Sequence, residues 1–293
     1  MTLPDRAEDI LRRGTLCYLA AITPRGPHVT PVVFAVQDGR LWATTSRRAV
    51  KTRAWRRQPI AAGLVGGDGG WVTFRGPVET YDLLDPATWR AGLQRAGTLV
   101  RASVGFTIKN ARFFAGYARD ARHVPLAWTP PGRVTVGVLP ESGAVLDDGD
   151  VVERWGTWGR RAGSVRRLST ETERALVTPD DVDLGGDGTG VVGLIGSAGP
   201  VVLPARWIRN DRLGVYDITI PRPLATLAGA AGRTSAALVI DRTSRWRAAE
   251  MRGLLVQGAA ETILPAGAAE ATIRIRPHRL VWWRGWASGS VER

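Results

Sequence analysis

The stretch Leu41-Trp-Ala-Thr-Thr-Ser-Arg-Arg-Ala-Val-Lys51, running on to Arg56-Arg57-Gln58-Pro59, decides how this chain is read. An apolar strand start meets a hydroxylated turn, and a basic helix follows at once. Lys51 is one of only two lysines, the other being Lys109; arginine carries the rest of the positive charge. A phosphate monoester presents nearly two negative charges and three acceptor oxygens. Hydroxyls, free N–H groups at a helix start and cationic donors hold it best. Thr44, Thr45, Ser46, Arg48 and Lys51 provide that set within a short run of chain. The plainer alternative is an amphipathic surface helix over 47–57, with Val50, Ala54 and Trp55 inward and the arginines solvated.

Working outward, Gly26-Pro-His-Val-Thr-Pro-Val-Val-Phe-Ala-Val-Gln-Asp-Gly-Arg40 reads as a hairpin feeding that strand. Pro4 to Arg13 predicts a short helix with Leu3, Ala7, Ile10 and Leu11 on one face and Gly14 as its stop. Strand signals cover 16–23, 29–36, 41–45, 60–65 and 71–81, separated by tight turns, as in an antiparallel meander. Asp85-Pro86 opens a helix carrying Trp89, Leu93 and Val100 on one side. A second helix is expected over 108–119, then strands over 134–138 and 151–158.

The second half replays the first. Strands at 191–195, 201–209 and 213–219 repeat the opening hairpins, and 236–241 answers 60–65. Gly76-Pro-Val-Glu79 has its counterpart in Gly258-Ala-Ala-Glu261. Each half ends on tryptophans: Trp155 and Trp158 in one, Trp282, Trp283 and Trp286 in the other. The common order argues for a duplicated module. The expected division is 1–163, with extra helices over 85–121, and 164–293. Ala162-Gly163-Ser164 serves as the linker, with a capping box at Thr170 and Glu173 after it.

Composition narrows the function classes. At 293 residues the chain suits two domains, and 44% hydrophobic content describes a globular protein. Net charge of +13 invites a nucleic-acid reading. That reading is discounted, because the arginines spread along the chain without a basic tail or run. The lone Cys17 excludes an intramolecular disulfide and fits a reducing cytoplasm. No run approaches the ~20 apolar residues of a membrane helix. Neither a P-loop, a zinc motif nor a G-x-S-x-G elbow is present, and Gly185–Gly190 leads into a β-branched run, so it is a turn. His28, His123 and His278 lie far apart and read as turn or surface residues.

The order hairpin, Thr/Ser turn, Lys, basic helix and Pro59 resembles the pyridoxamine 5′-phosphate oxidase-like flavin-binding split barrels. The resemblance implies a mainly β fold with some α (α+β): two tandem FMN-binding-type split β-barrels forming an intramolecular pseudo-dimer. It implies that Thr30, Pro31 and Val32 line the flavin, that Thr44, Thr45 and Ser46 touch its ribityl chain and phosphate, and that Lys51 holds the phosphate. Arg48 is a looser match, and Val50 stands where a second basic residue is common. Trp282, Trp283 and Trp286 are candidates to reach across from the second half. There the corresponding stretch, 215–224, lacks lysine and carries Asp217, Pro221 and Pro223, which implies a degenerate site with Arg222 as its only cation. The activity implied is an FMN-dependent oxidoreductase acting on a small organic substrate, with no metal. The alternatives are the deazaflavin F420, whose polyanionic tail would suit Arg47, Arg53, Arg56 and Arg57, and a non-catalytic flavin or haem carrier or basic nucleic-acid-contacting module. No catalytic acid or base is assigned.

Overall fold

The computed structural model describes residues 3–119, 132–158, 176, 184–197, 199–242 and 248–292. Helix α1 (Asp5–Arg13) buries Ala7, Ile10 and Leu11. Its acidic residues come first and its arginines last, the order a helix dipole favours. The chain then forms β1 (Leu16–Thr23), β2 (Gly26–Gln37), β3 (Arg40–Ser46), α2 (Val50–Arg57), β4 (Ile60–Gly67) and β5 (Gly70–Tyr81). A 3-10 turn at Pro86–Thr88 leads into α3 (Trp89–Gln94), α4 (Ala96–Lys109) and α5 (Ala111–Arg119). Strands β6 (Arg133–Val138), β7 (Ser142–Asp147) and β8 (Asp150–Trp155) complete the first module. Pairing in the order β4-β1-β2-β3-β6-β5, with β5 returning to β4, closes a six-stranded antiparallel barrel.

The second module repeats the plan with β9 (Asp187–Gly196), β10 (Gly199–Asn210), β11 (Val215–Pro221), α6 (Arg222–Ala228), β12 (Gly232–Arg242), β13 (Arg252–Ile263), β14 (Glu270–Arg284) and β15 (Ala287–Glu292). Its barrel closes through β11–β14 pairing. The long β14 does the work of both β6 and β7.

Strand registers superpose the modules residue by residue. Thr23 opposite Gly26 matches Gly196 opposite Gly199, so Pro31 falls on Pro204. Ala62 opposite Arg75 matches Ala237 opposite Gln257, so Gly76 falls on Gly258 as the repeat predicts. Ser46 opposite Arg133 matches Pro221 opposite Glu270. The tryptophan match needs correction. Trp282 and Trp283 lie on β14, opposite β13 as β7 lies opposite β5, whereas Trp155 ends β8, the counterpart of β15.

Strands β1, β2, β4 and β5 of the first barrel present one face to their own core and the other to the second module, whereas Trp42 on β3 turns outward to pack with Tyr81 and Ala102 of α4. Cys17, Leu19 and Ala21 join Phe34 and Phe74 inside the first barrel. Ala20 and Val29 instead join Val192, Leu194 and Leu238 in a core that spans both modules. Two buried faces explain the near-continuous apolar runs of β1 and β9. Polar bonds cross the same seam. The Thr73 hydroxyl donates to the Val202 carbonyl at 2.8 Å, the Gln257 amide to that of Pro27 at 2.7 Å, and the Trp158 indole to that of Leu227 at 2.6 Å. Trp155 belongs to the first barrel's own core and bonds the Pro140 carbonyl, so it is not a seam residue.

Other differences have local causes. The helix expected to align Trp89, Leu93 and Val100 is broken at Arg95, and all three are exposed; α4 buries Ala102 and Phe106 instead. Helix α5 starts at Ala111, because Asn110 turns its side chain onto the Phe34 and Phe106 carbonyls. Strand β7, helix α6 and strand β13 were not expected. The boundary at 163, the linker, the capping box and His123 lie outside the described residues. Among those described, no helix is long and apolar enough to cross a membrane.

Candidate functional site

The turn 47–49 separates β3 from α2 and places Lys51 one residue into the helix. Lys51, Thr52, Ala54 and Trp55 face inward, while Arg53, Arg56 and Arg57 are exposed. Lys51 is only 3% exposed, and its Nζ donates to the Thr30 hydroxyl at 2.6 Å. Burial pushes its ammonium down to about 7; Cys17 opposes that shift and Arg133 adds to it. A surface-helix reading therefore holds for the arginines and fails for Lys51. The Thr52 hydroxyl ties the helix back to the Ser46 carbonyl at 2.8 Å. At the helix start Ala49 offers no side-chain cap, so the first N–H groups face the turn without one.

Strand alternation divides the hydroxyls that the sequence groups together. Ala43 packs in the first barrel's core, so Thr45 falls on the inward face and Thr44 and Ser46 on the outward one. Arg133 also lies on that outward face. Its guanidinium donates to the Thr44 hydroxyl at 2.8 and 3.1 Å and to the Thr44 carbonyl at 2.8 Å. Sequence reasoning missed Arg133, because nothing local says that a residue far downstream pairs opposite Ser46. On β2, Thr30 and Val32 point into the barrel, opposite Leu19 and Cys17, and Pro31 points out. Arg48 is exposed, with its backbone N–H on the Ser46 hydroxyl at 3.3 Å.

The arginines expected to meet a polyanionic tail divide as well. Arg47 and Arg56 converge on the buried Asp82, at 2.7 and 3.0 Å, and Arg56 also reaches Asp85 at 2.9 Å. Arg53 and Arg57 remain exposed on α2.

His28 is not a surface residue. It is buried where β2 begins, and burial, then the charges of Lys51 and Arg279, drive its imidazole down to about 3. Its Nδ1 has no hydrogen-bond partner. Gln257 packs beside it and accepts from Arg279 at 3.4 Å, so two second-module side chains stand next to the first module's β2. Trp282 lies over Gly289 and against the seam core, and Trp283 lies over Gly253. Trp286 sits in the β14–β15 turn, where register makes it the counterpart of Gly149 in the β7–β8 turn. Gly149 approaches Pro221 closely enough that an added Cβ would lie 2.8 Å from its ring.

In the second module most of the polar set is gone, although Thr219 still stands where Thr44 does. Leu203 stands where Thr30 does and Pro221 where Ser46 does, while Glu270 replaces Arg133. Helix α6 repeats the buried pattern of α2, with Leu224, Ala225, Leu227 and Ala228 in place of Lys51, Thr52, Ala54 and Trp55. Leu224 thus occupies the lysine position. Asp217, one of the residues that marked this site as degenerate, is paired with Arg274 at 2.7 Å, so its charge is compensated. Arg222 bonds the Ala268 carbonyl.

Residues 3–123 match the family model described as pyridoxamine 5′-phosphate oxidase. The first module belongs to the pyridoxamine 5′-phosphate oxidase-like split-barrel family. Among solved structures, General Stress Protein 26 from Bacillus anthracis str. Sterne is 14% identical, covering 49% of this chain and 92% of its own, with a TM-score of 0.33. An F420 reductase is 21% identical over 48% of this chain and 98% of its own, TM-score 0.32. A FAD-binding protein from Mesorhizobium loti is 20% identical over 49% and 94%, TM-score 0.32. No curated protein matches the chain.

Proposed function

We propose that the first split barrel binds the phosphate of an FMN-type flavin and that the chain is an oxidoreductase acting on a small organic substrate. One observation carries this reading. Lys51 keeps an ammonium buried at the start of an uncapped helix, next to an outward face bearing Thr44, Ser46 and Arg133. A buried, partly depressed lysine is expensive unless an anion completes it. The second module, which has lost most of the set, holds leucine there.

In this reading Lys51, Arg133, Thr44, Ser46 and the α2 N–H groups hold the phosphate, and Arg48 screens its outer side. Pro31 flanks the flavin from the seam. Thr30, Val32 and Thr45 act from within the barrel, with Thr30 orienting the Lys51 ammonium. Trp286 is the register counterpart of Gly149, which lies against Pro221, and in this reading it gives the flavin an aromatic neighbour from the other module. The bound flavin would supply hydride transfer. The chain's own residues position it and exclude water, and one chain provides both halves of the pocket without a second copy. F420 is the second reading, favoured by Arg53 and Arg57, which remain exposed on α2.

Titration of the full chain with FMN and with F420, followed by flavin fluorescence, separates these readings. Micromolar FMN binding that is lost in Lys51→Ala supports the first, and preference for F420 supports the second. Binding of neither removes the cofactor assignment. Binding without turnover of any reductant makes the protein a carrier.

A further inference from the structure

The stretch between β5 and β6 has no counterpart in the second module. There β13 passes to β14 through residues 264–269, whereas residues 82–132 separate β5 from β6 and carry α3, α4 and α5. Both barrels close, so these helices are an addition to the barrel and not a requirement of it.

The same helices hold most of the exposed apolar surface. Of the thirteen large hydrophobic residues exposed among those described, eight lie between Leu83 and Phe114. On α3, Trp89 and Leu93 stand one turn apart, and the Trp89 indole donates to the Leu83 carbonyl at 3.0 Å, which sets Leu83 beside it. On α4, Val100, Val104 and Ile108 recur every four residues, on the side opposite the buried Ala102 and Phe106. Leu83, Leu93 and Ile108 are 85%, 77% and 72% exposed. Side chains so far out of the protein gain little from the fold, and their concentration in one region marks an interaction surface.

Charge selects the partner. Residues 86–119 hold six cations and no carboxylate. Arg95 is offset by Glu79 and Arg101 by Asp38, while Lys109 turns inward to the Leu11 carbonyl. Asp85, just before the run, is held by Arg56. Arg90 on α3 and Arg119 on α5 are exposed and take no carboxylate among the described residues. A second copy docking two-fold through this region would set an acid-free surface against itself, with no carboxylate to answer the arginines. An anionic bilayer supplies both halves of the match: headgroup phosphates for the arginines, and an acyl boundary for the leucines and the tryptophan. At 6 and 14 residues, α3 and α4 are too short to cross it and suit its plane.

We infer that α3 and α4 seat the protein on an anionic lipid surface. Leu83, Trp89, Leu93, Val100, Val104 and Ile108 enter the acyl boundary, and Arg90 and Arg119 meet headgroup phosphates. The surface is separate from the Lys51 face, whatever cofactor that face holds.

Flotation of the full chain with two kinds of vesicle tests this: phosphatidylcholine alone, and phosphatidylcholine with about 30% phosphatidylglycerol. Partition onto the anionic vesicles is expected to be at least about tenfold above that onto neutral ones, and to fall in about 0.5 M salt. Leu93→Asp combined with Ile108→Asp should lower it by at least about tenfold, with the denaturant midpoint unchanged because both positions are exposed. Arg90→Glu combined with Arg119→Glu should bring anionic binding down toward the neutral level. No partition onto anionic vesicles would overturn the inference, as would equal partition onto both kinds. Binding that survives either double variant would place the lipid on another face and overturn it. Self-association of the wild type in sedimentation, abolished by Leu93→Asp with Ile108→Asp and unaccompanied by vesicle binding, would make a second copy the occupant and overturn it equally.

Discussion

The two modules share a barrel, a register and a capping helix, yet one buries a lysine on a threonine where the other buries leucine on the same side. Lys51 with Thr30 and Leu224 with Leu203 occupy matched positions. The leucine version shows that the architecture does not need a charge there. Replacing buried polar pairs by packed apolar residues is often neutral or stabilising. On the proposed reading, Lys51 is kept at a cost to folding because it binds the cofactor phosphate. The same contrast recurs at Ser46 and Pro221, and at Arg133 and Glu270, all on the outward face of the cleft.

Copying second-module residues into the first should break the contrast in graded steps. Lys51→Leu is expected to lower cofactor affinity by one to two decades, about 1.5–3 kcal/mol, in a fluorescence titration. Combined with Thr30→Leu, it should leave the denaturant midpoint equal to wild type or higher; a large drop would make Lys51 structural. Arg133→Glu should weaken binding by about tenfold, with a clear dependence on salt, since it reverses one charge beside the phosphate.

A smaller effect concerns pH. The folded-state pKa of Lys51 is lowered to about 7 from 10.5. Between those values the unfolded chain binds more protons, so stability of the cofactor-free protein should rise with pH through that window. Below about 7 the full burial penalty remains. Lys109, lowered to about 8, acts in the same direction. Denaturant midpoints at about pH 6 and about pH 9 should differ less in Lys51→Leu than in wild type. The smallest and most local effect is at the seam. Gln257→Ala removes the bond to Pro27 and should cost about 1–3 kcal/mol of stability, read by thermal denaturation.

Much of this arrangement is legible from local sequence. Hairpins with Gly-bearing turns and period-two burial gave most of the first module's strands, and the Thr/Ser–Lys spacing singled out Lys51. What sequence could not supply is pairing over long separations. Arg133 joins Thr44 and Ser46 only because β6 lies beside β3, and Thr45 parts from them because alternation turns it into the barrel. Similarly, β7, which lies outside the six-stranded circuit, is held as strand by pairing with β5 across a long separation and with β8, and β13 was marked in sequence only by its Gly258–Glu261 match to β5. The second module's loss is also clearer in three dimensions. In sequence the loss rested on the missing lysine, Asp217, Pro221 and Pro223 together; the helix burial pattern adds that a leucine stands at the lysine position.

The central claim is that one module binds the cofactor and its duplicate does not. Saturating the full chain with FMN, or with F420 if that is the cofactor bound, and measuring stoichiometry by calorimetry tests it directly. One cofactor per chain, reduced to none by Lys51→Leu, is the predicted result. Two per chain, or one that survives Lys51→Leu, would contradict it.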